Sequence, residues 1–298
     1  MEYPPDLSFL FTAPTRVVFG AGAASETGVE LAGLGRSRAL LVTDPVLAKT
    51  DVVARVAKAL GRACAAVFSD VPPDSGVAAV NAGAEAGRAC GADAVVSVGG
   101  GSVIDTAKGI AILLTEGGNL MDYQGFQVLS RRQTPHVAVP TTAGTGSEIT
   151  YVAVIKDHEG RRKLLFADHH IIPDVAILDP ALTVGLPPRL TAATGLDAFS
   201  HGLEAVTSAQ REPIADALGL HAVRLVHRFL PRAVRDGADL AARGQMLAAA
   251  TPGGAAFSNA QVGMVHAIAH VLGGRHGVHH GVANAVLLPH VMRHNNPA

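Results

Sequence analysis

Every strand-like run in this chain lies before residue 186, and everything beyond it repeats with a helical period. The runs TRVVFG (15–20), RALLVTD (38–44), CAAVFSD (64–70), ADAVVSVGG (92–100) and HVAVP (136–140) are rich in β-formers and close on Gly, Asp or Pro. Ala-rich stretches at 47–61 and 76–91 predict helices between them. Strand–helix alternation of this kind predicts a parallel sheet flanked by helices. The stretch 153–180 predicts a hairpin turning at Glu159-Gly160, then one more strand. After Pro187-Pro188, Ala/Leu-rich segments predict helices over 191–207, 213–229, 239–250, 258–272 and 281–294. The expected fold is an α/β domain over 1–185 followed by an all-α domain over 186–298.

Composition narrows the class. Of 298 residues, 48% are hydrophobic and 16% charged, which supplies a large buried core. A net charge of −1 leaves no broad field for nucleic acid or an anionic membrane, and the absence of Trp argues against base-stacking platforms. The two cysteines, Cys64 and Cys90, form no C-x-x-C pair and read as reduced thiols of a cytoplasmic protein. The start, MEYPPDLSFLF, carries two acids and two prolines and is unlike a signal peptide. Between Arg243 and Arg275 no charged residue occurs, a run long enough to span a bilayer. It holds Pro252, Ser258, Asn259, Gln261 and two histidines, so a buried helix with a functional polar face is expected instead.

Two turns invite phosphate. In VVSVGGGSVIDTAKG, a strand runs into Gly99, Gly100 and Gly101 and then a helix, where bare backbone and unpaired N–H groups can approach an anion. Ser102 and Asp105 have capping-box spacing, so they serve the helix start, the phosphate, or both. The spacing is neither G-x-G-x-x-G nor a P-loop. A second turn, VPTTAGTGSE (139–148), follows the next strand, and the pair suggests a pyrophosphate along the strand ends. Asp44 closes ALLVTD, where its carboxylate either binds a ribose diol or makes a plain Asp-Pro turn.

The helical half concentrates metal-ligating types. GLDAFSHGLEA sets Asp197 and His201 four apart on one helix face, and VHAIAH repeats that spacing with His266 and His270. His280 follows a Gly-Gly break. One carboxylate and three imidazoles suit a divalent transition metal such as Fe(II) or Zn(II). His279 and His280 diverge on a helical turn, so one at most faces an ion, and His276, His279, His290 and His294 are expected at the surface or behind the ligands.

Taken together, GGGSVIDTAKG, PTTAGTGSE, DVAILDP, GLDAFSHGLEA, AFSNAQVGMVHAIAH and HHGVANAVLLPHVMRHN resemble the iron-containing (group III) alcohol dehydrogenases over nearly the whole chain. The resemblance implies a nicotinamide-binding α/β domain, an all-helical metal-binding domain and a catalytic cleft between them. It implies reversible hydride transfer between NAD(H) and a small alcohol or its aldehyde or ketone. The ligands it implies are Asp197, His201, His266 and His280, with His270 as proton relay and Phe257 in the substrate pocket. Gly99, Gly100, Gly101 and Ser102 would receive the pyrophosphate, with Thr141, Thr142, Thr145 and Lys163 as further cofactor positions and Asp44 favouring NAD over NADP; Asp105 is a cofactor candidate through its place beside Ser102 in the first turn of the helix. A homodimer or larger homo-oligomer is expected. Pro73 and Val152 stand where relatives carry cofactor-binding Asn. Relatives are also expected to continue past HVMRHNNPA through further helices, so that part of the helical domain would be absent. A hydroxyacid–oxoacid transhydrogenase using the same site, and an inactive metal- or nucleotide-binding remnant, are the alternative readings.

Overall fold

The structure, a computed structural model, describes residues 3–296. In chain order its α/β portion contains β1 (Arg16–Phe19), α1 (Thr27–Gly33), β2 (Ala39–Val42), α2 (Asp51–Leu60), β3 (Cys64–Phe68), α3 (Val77–Ala89), β4 (Ala94–Gly99) and α4 (Gly101–Glu116). It continues with β5 (Gly125–Phe126), β6 (His136–Pro140), β7 (Val152–Asp157), β8 (Arg162–Ala167) and β9 (Val175–Leu178). Six of these strands form a sheet in the order β1-β9-β6-β4-β2-β3, with every pairing parallel.

Strands β2, β4, β6 and β9 are buried along their whole length. Both faces of the sheet are covered, so these strands read as continuous apolar runs and not as alternating ones. Leu40, Val42 and Val95 face Val80, Ile110 and Phe166 on one side, and Leu41, Val96 and Val98 face Leu31 and Val56 on the other. The chain visits β2 and β3, then returns to place β4 on the far side of β2. The strand order therefore reverses between β2 and β4, the position where open α/β sheets bind ligands at their carboxyl ends.

The predicted hairpin is β7–β8, antiparallel from Val152↔Ala167 to Asp157↔Arg162. It belongs to a second sheet, β5-β8-β7, whose two-residue β5 was too short to show a periodic signal in sequence.

Five helices follow: α5 (Pro188–Thr207), α6 (Pro213–Arg235), α7 (Leu240–Ala260), α8 (Met264–His276) and α9 (His280–Asn295). The two compact units do not divide the sequence linearly. The segment up to Pro14 and the turn Ala143–Gly146 group with the chain from Pro187 onward, whereas Thr15–Thr142 and Ser147–Leu186 form the other unit. A break expected between 250 and 258 is likewise absent. Helix α7 runs through Pro252-Gly253-Gly254 to Ala260, because those residues serve close packing: a side chain on Gly253 would meet Ala198 and Ala222. The uncharged run is thus two helices, and among the described residues no helix is long and apolar enough to cross a membrane.

Candidate metal centre and cofactor turns

The strand pairings bring the predicted cofactor positions to one end of the sheet. Val42 pairs with Ser97 and Gly99 with Pro140, so Asp44, the 99–102 turn and Thr141–Thr142 leave neighbouring strands at their carboxyl ends. Thr43 Oγ1 donates to the Val98 carbonyl at 2.8 Å, and Thr141 N donates to the Gly99 carbonyl at 3.0 Å. A Cβ on Gly100 would stand 3.2 Å from Thr142, which keeps the turn bare. Asp44 Oδ1 accepts from Val46 N and Leu47 N at 2.8 and 2.9 Å, so the Asp-Pro turn is formed whatever else that carboxylate binds. Thr145 lies in the turn that groups with the helices.

The capping box is not formed. Gly100 occupies the N-cap of α4 without a side-chain bond, and Asp105 turns to the small sheet, where Oδ2 accepts from Val154 N at 3.0 Å. Burial pushes the Asp105 carboxyl up, opposed by Lys108 and Lys163. Lys163, on β8, stands 4.0 Å from Asp74.

Lys108, which sequence reasoning passed over inside its motif, is wholly buried. Its Nζ donates to the carbonyls of Thr150 (2.8 Å) and Val152 (2.7 Å) and to Thr150 Oγ1 (3.1 Å). It therefore pins the start of β7 to the helix that begins at the glycine turn. Burial lowers its pKa to about 8.

In the helical unit, Asp197 and His201 share one face of α5, and His266 comes from α8 and His280 from the first turn of α9. Gly281 explains the approach of α9: a Cβ there would overlap the Ala193 carbonyl, one turn before Asp197 on α5. From Asp197 Oδ1 the Nε2 atoms of His266, His280 and His201 lie at 3.5, 3.6 and 3.9 Å. Donors about 2.1 Å from an ion at tetrahedral angles stand about 3.4 Å apart, close to these three distances from Asp197. Asp197, His201 and His266 form the tightest group, with ligand atoms all within 4.8 Å of one another.

Without an ion, the buried acids and imidazoles of this site act strongly on one another. Burial alone would raise the Asp197 carboxyl, but His201, His280 and His266 hold it well below the ordinary carboxylate range. Burial pulls His201 down to about 4. Burial also opposes charge on His266, yet bonds from Asp197 and Glu204 raise it to about 9. Phe257 stacks on His201 with centroids 4.3 Å apart, and His270 lies 5.1 Å from His280, ring to ring. His276, His279, His290 and His294 are exposed, away from the donor set.

Two residues at this centre escaped sequence reasoning. Glu204 bonds the Nδ1 side of His266. Asn284, fully buried, donates from Nδ2 to Asp197 Oδ1 at 2.6 Å and lies 3.1 and 3.3 Å from Nε2 of His266 and His280. Both sit in quoted motifs, four or fewer residues from a ligand, and that proximity was the available signal.

Comparison with known proteins identifies the family. Residues 14–180 match the iron-containing alcohol dehydrogenase family model and residues 191–298 match the model for the C-terminal part of that family. Alcohol dehydrogenase 4 of Schizosaccharomyces pombe is 42% identical over 96% of this chain and 68% of its own length. The NAD-dependent methanol dehydrogenase of Bacillus methanolicus is also 42% identical, over 96% of this chain and 75% of its own. The crystal structure of a 1,3-propanediol oxidoreductase superposes with a TM-score of 0.93 at 42% identity, over 97% of this chain and 76% of that one. The chain belongs to the iron-containing alcohol dehydrogenase family.

Proposed function

We propose that this chain catalyses reversible hydride transfer between NAD(H) and a small primary or secondary alcohol, or the corresponding aldehyde or ketone. The observation that carries the reading is that three imidazoles, from three helices, each bring Nε2 within 4 Å of the buried Asp197 carboxylate. Asp197, His201, His266 and His280 would hold Fe(II) or Zn(II), which when bound would supply Lewis acidity to the substrate oxygen. The nicotinamide supplies the hydride acceptor.

The remaining work falls to this chain's own groups. Phe257, against His201, gives the substrate an apolar wall and keeps water from the reacting carbon. His270, one turn beyond His266 and less buried than it, takes the hydroxyl proton and passes it to solvent. Backbone N–H groups of Gly99, Gly100, Gly101 and Ser102 hold the pyrophosphate at the start of α4. Asp44 accepts from the adenosine ribose and repels a 2′-phosphate, and Asp105, Thr141, Thr142, Thr145 and Lys163 complete the cofactor contacts.

The test is NADH formation from NAD+ and a panel of small alcohols, with Fe(II)-loaded protein and with protein stripped by a chelator. Turnover that needs both NAD+ and metal, and returns when the ion is restored, is expected. Folded, metal-loaded protein that exchanges hydride between two substrates but never with free NAD+ would overturn the reading in favour of a transhydrogenase.

A further inference from the structure

Glu204 lies on α5 three residues beyond His201, is 3% exposed, and contributes none of the four converging donor atoms. Its carboxylate faces the first turn of α8 instead. Oε1 accepts from Val265 N at 2.7 Å, and Oε2 lies 3.4 Å from His266 N and is hydrogen-bonded to His266 Nδ1. The Gly263 N–H bonds the same carboxylate. A Cβ on Gly263 would stand 2.8 Å from Oε1, so glycine at that position leaves room for the acid. A carboxylate is also favoured at the positive end of a helix. Both carboxylate oxygens of Glu204 are thus engaged by the start of α8.

We propose that Glu204 is the positioning residue of this centre: by accepting the Nδ1–H of His266 it fixes the ring's tautomer and turns Nε2, with its lone pair, toward a divalent ion. The inference rests on the reading of Asp197, His201, His266 and His280 as a metal centre. His266 is bracketed by acids, Asp197 Oδ1 at 3.5 Å from Nε2 and Glu204 on Nδ1. Imidazole carries one proton when neutral, and whichever nitrogen bears it cannot ligate. A carboxylate on Nδ1 decides that choice and makes Nε2 more basic. The two acids together also carry two negative charges, matching a divalent cation in a buried site where unbalanced charge is costly.

Three measurements decide it. Glu204→Gln keeps an oxygen for the Val265 N–H but removes the anion. Titration of metal-free protein with Zn(II) should show the variant binding about 10–100-fold more weakly than wild type, with its metal-free Tm within about 3 °C. Gly263→Ala, which displaces the carboxylate without changing its charge, should weaken Zn(II) in the same direction. In Zn(II)-loaded wild-type protein, nitrogen NMR of the histidines should find a proton on His266 Nδ1; this holds even if either variant fails to fold. Wild-type Zn(II) affinity in Glu204→Gln, or an unprotonated His266 Nδ1 in the loaded protein, overturns the proposal while leaving the metal centre itself standing. Wild-type protein that binds no Zn(II) overturns the metal-centre reading instead.

Discussion

Asn284 donates its amide to Asp197 Oδ1 at 2.6 Å across 87 residues of sequence, and neither side chain reaches solvent. A neutral donor on a ligand carboxylate fixes its orientation without cancelling its charge. Replacing Asn284 by Leu, of similar size, removes the donor and should raise the Zn(II) dissociation constant about tenfold. The metal-free protein should lose about 1–2 kcal/mol with this charge-assisted hydrogen bond. Metal titration and denaturant unfolding of the two proteins check both numbers.

Asp44 forms its turn and, in the proposed function, also meets the cofactor, and one substitution separates the two. Asp44→Asn keeps the oxygen that accepts from Val46 N and Leu47 N, so the turn and the stability should hold to about 0.5 kcal/mol. The charge proposed to repel a 2′-phosphate is lost. The ratio of kcat/KM for NADP+ over NAD+ should therefore rise on the order of tenfold, the equivalent of about 1.4 kcal/mol. An unchanged ratio would remove Asp44 from the cofactor site.

Lys108 should matter to stability more than any surface cation. Lys108→Met leaves the carbonyls of Thr150 and Val152 without their buried donor and should cost about 3 kcal/mol. Because those carbonyls open β7, NADH should also bind more weakly, measured by fluorescence titration at a temperature where the variant is folded.

The sheet centre predicts an acid limb. His136, on β6, is buried against Ser97 Oγ at 2.7 Å, and burial, helped by the charge of Lys108, lowers it to about 3. In the unfolded chain it titrates near 6.5, so between those values the unfolded state binds the extra proton. Its contribution is complete above pH 6.5 and is lost as pH falls toward 3, about 5 kcal/mol at full extent. His136→Gln, which keeps a partner for Ser97, should flatten the fall of unfolding free energy over that range, read from urea unfolding at a series of pH values.

Periodicity made most of the fold legible, because β2, β4, β6 and β9 are buried on both faces and read as unbroken apolar runs. Local rules failed where a distant partner outweighed them. Pro252-Gly253-Gly254 looks like a stop, yet the glycine serves contact with Ala198 and Ala222 and α7 continues. Ser102 and Asp105 look like a capping box, but Asp105 answers to Val154, 49 residues on. Asp197, His201 and His266 stood out by i,i+4 spacing and His280 by following a Gly-Gly break, while the choice of these four over His270 came from the family resemblance. Glu204 and Asn284 were not singled out, since what marks them is contact with His266 and Asp197, 62 and 87 residues away.

The most direct test of the central claim is X-ray absorption of the Zn(II)-loaded protein, read for the number of imidazoles around the ion. The account predicts one ion per chain with three histidine nitrogens and a carboxylate oxygen about 2.1 Å away, and two histidine nitrogens in His280→Ala. Folded protein that takes up no ion, or that shows the same imidazole count in wild type and in His280→Ala, would contradict it.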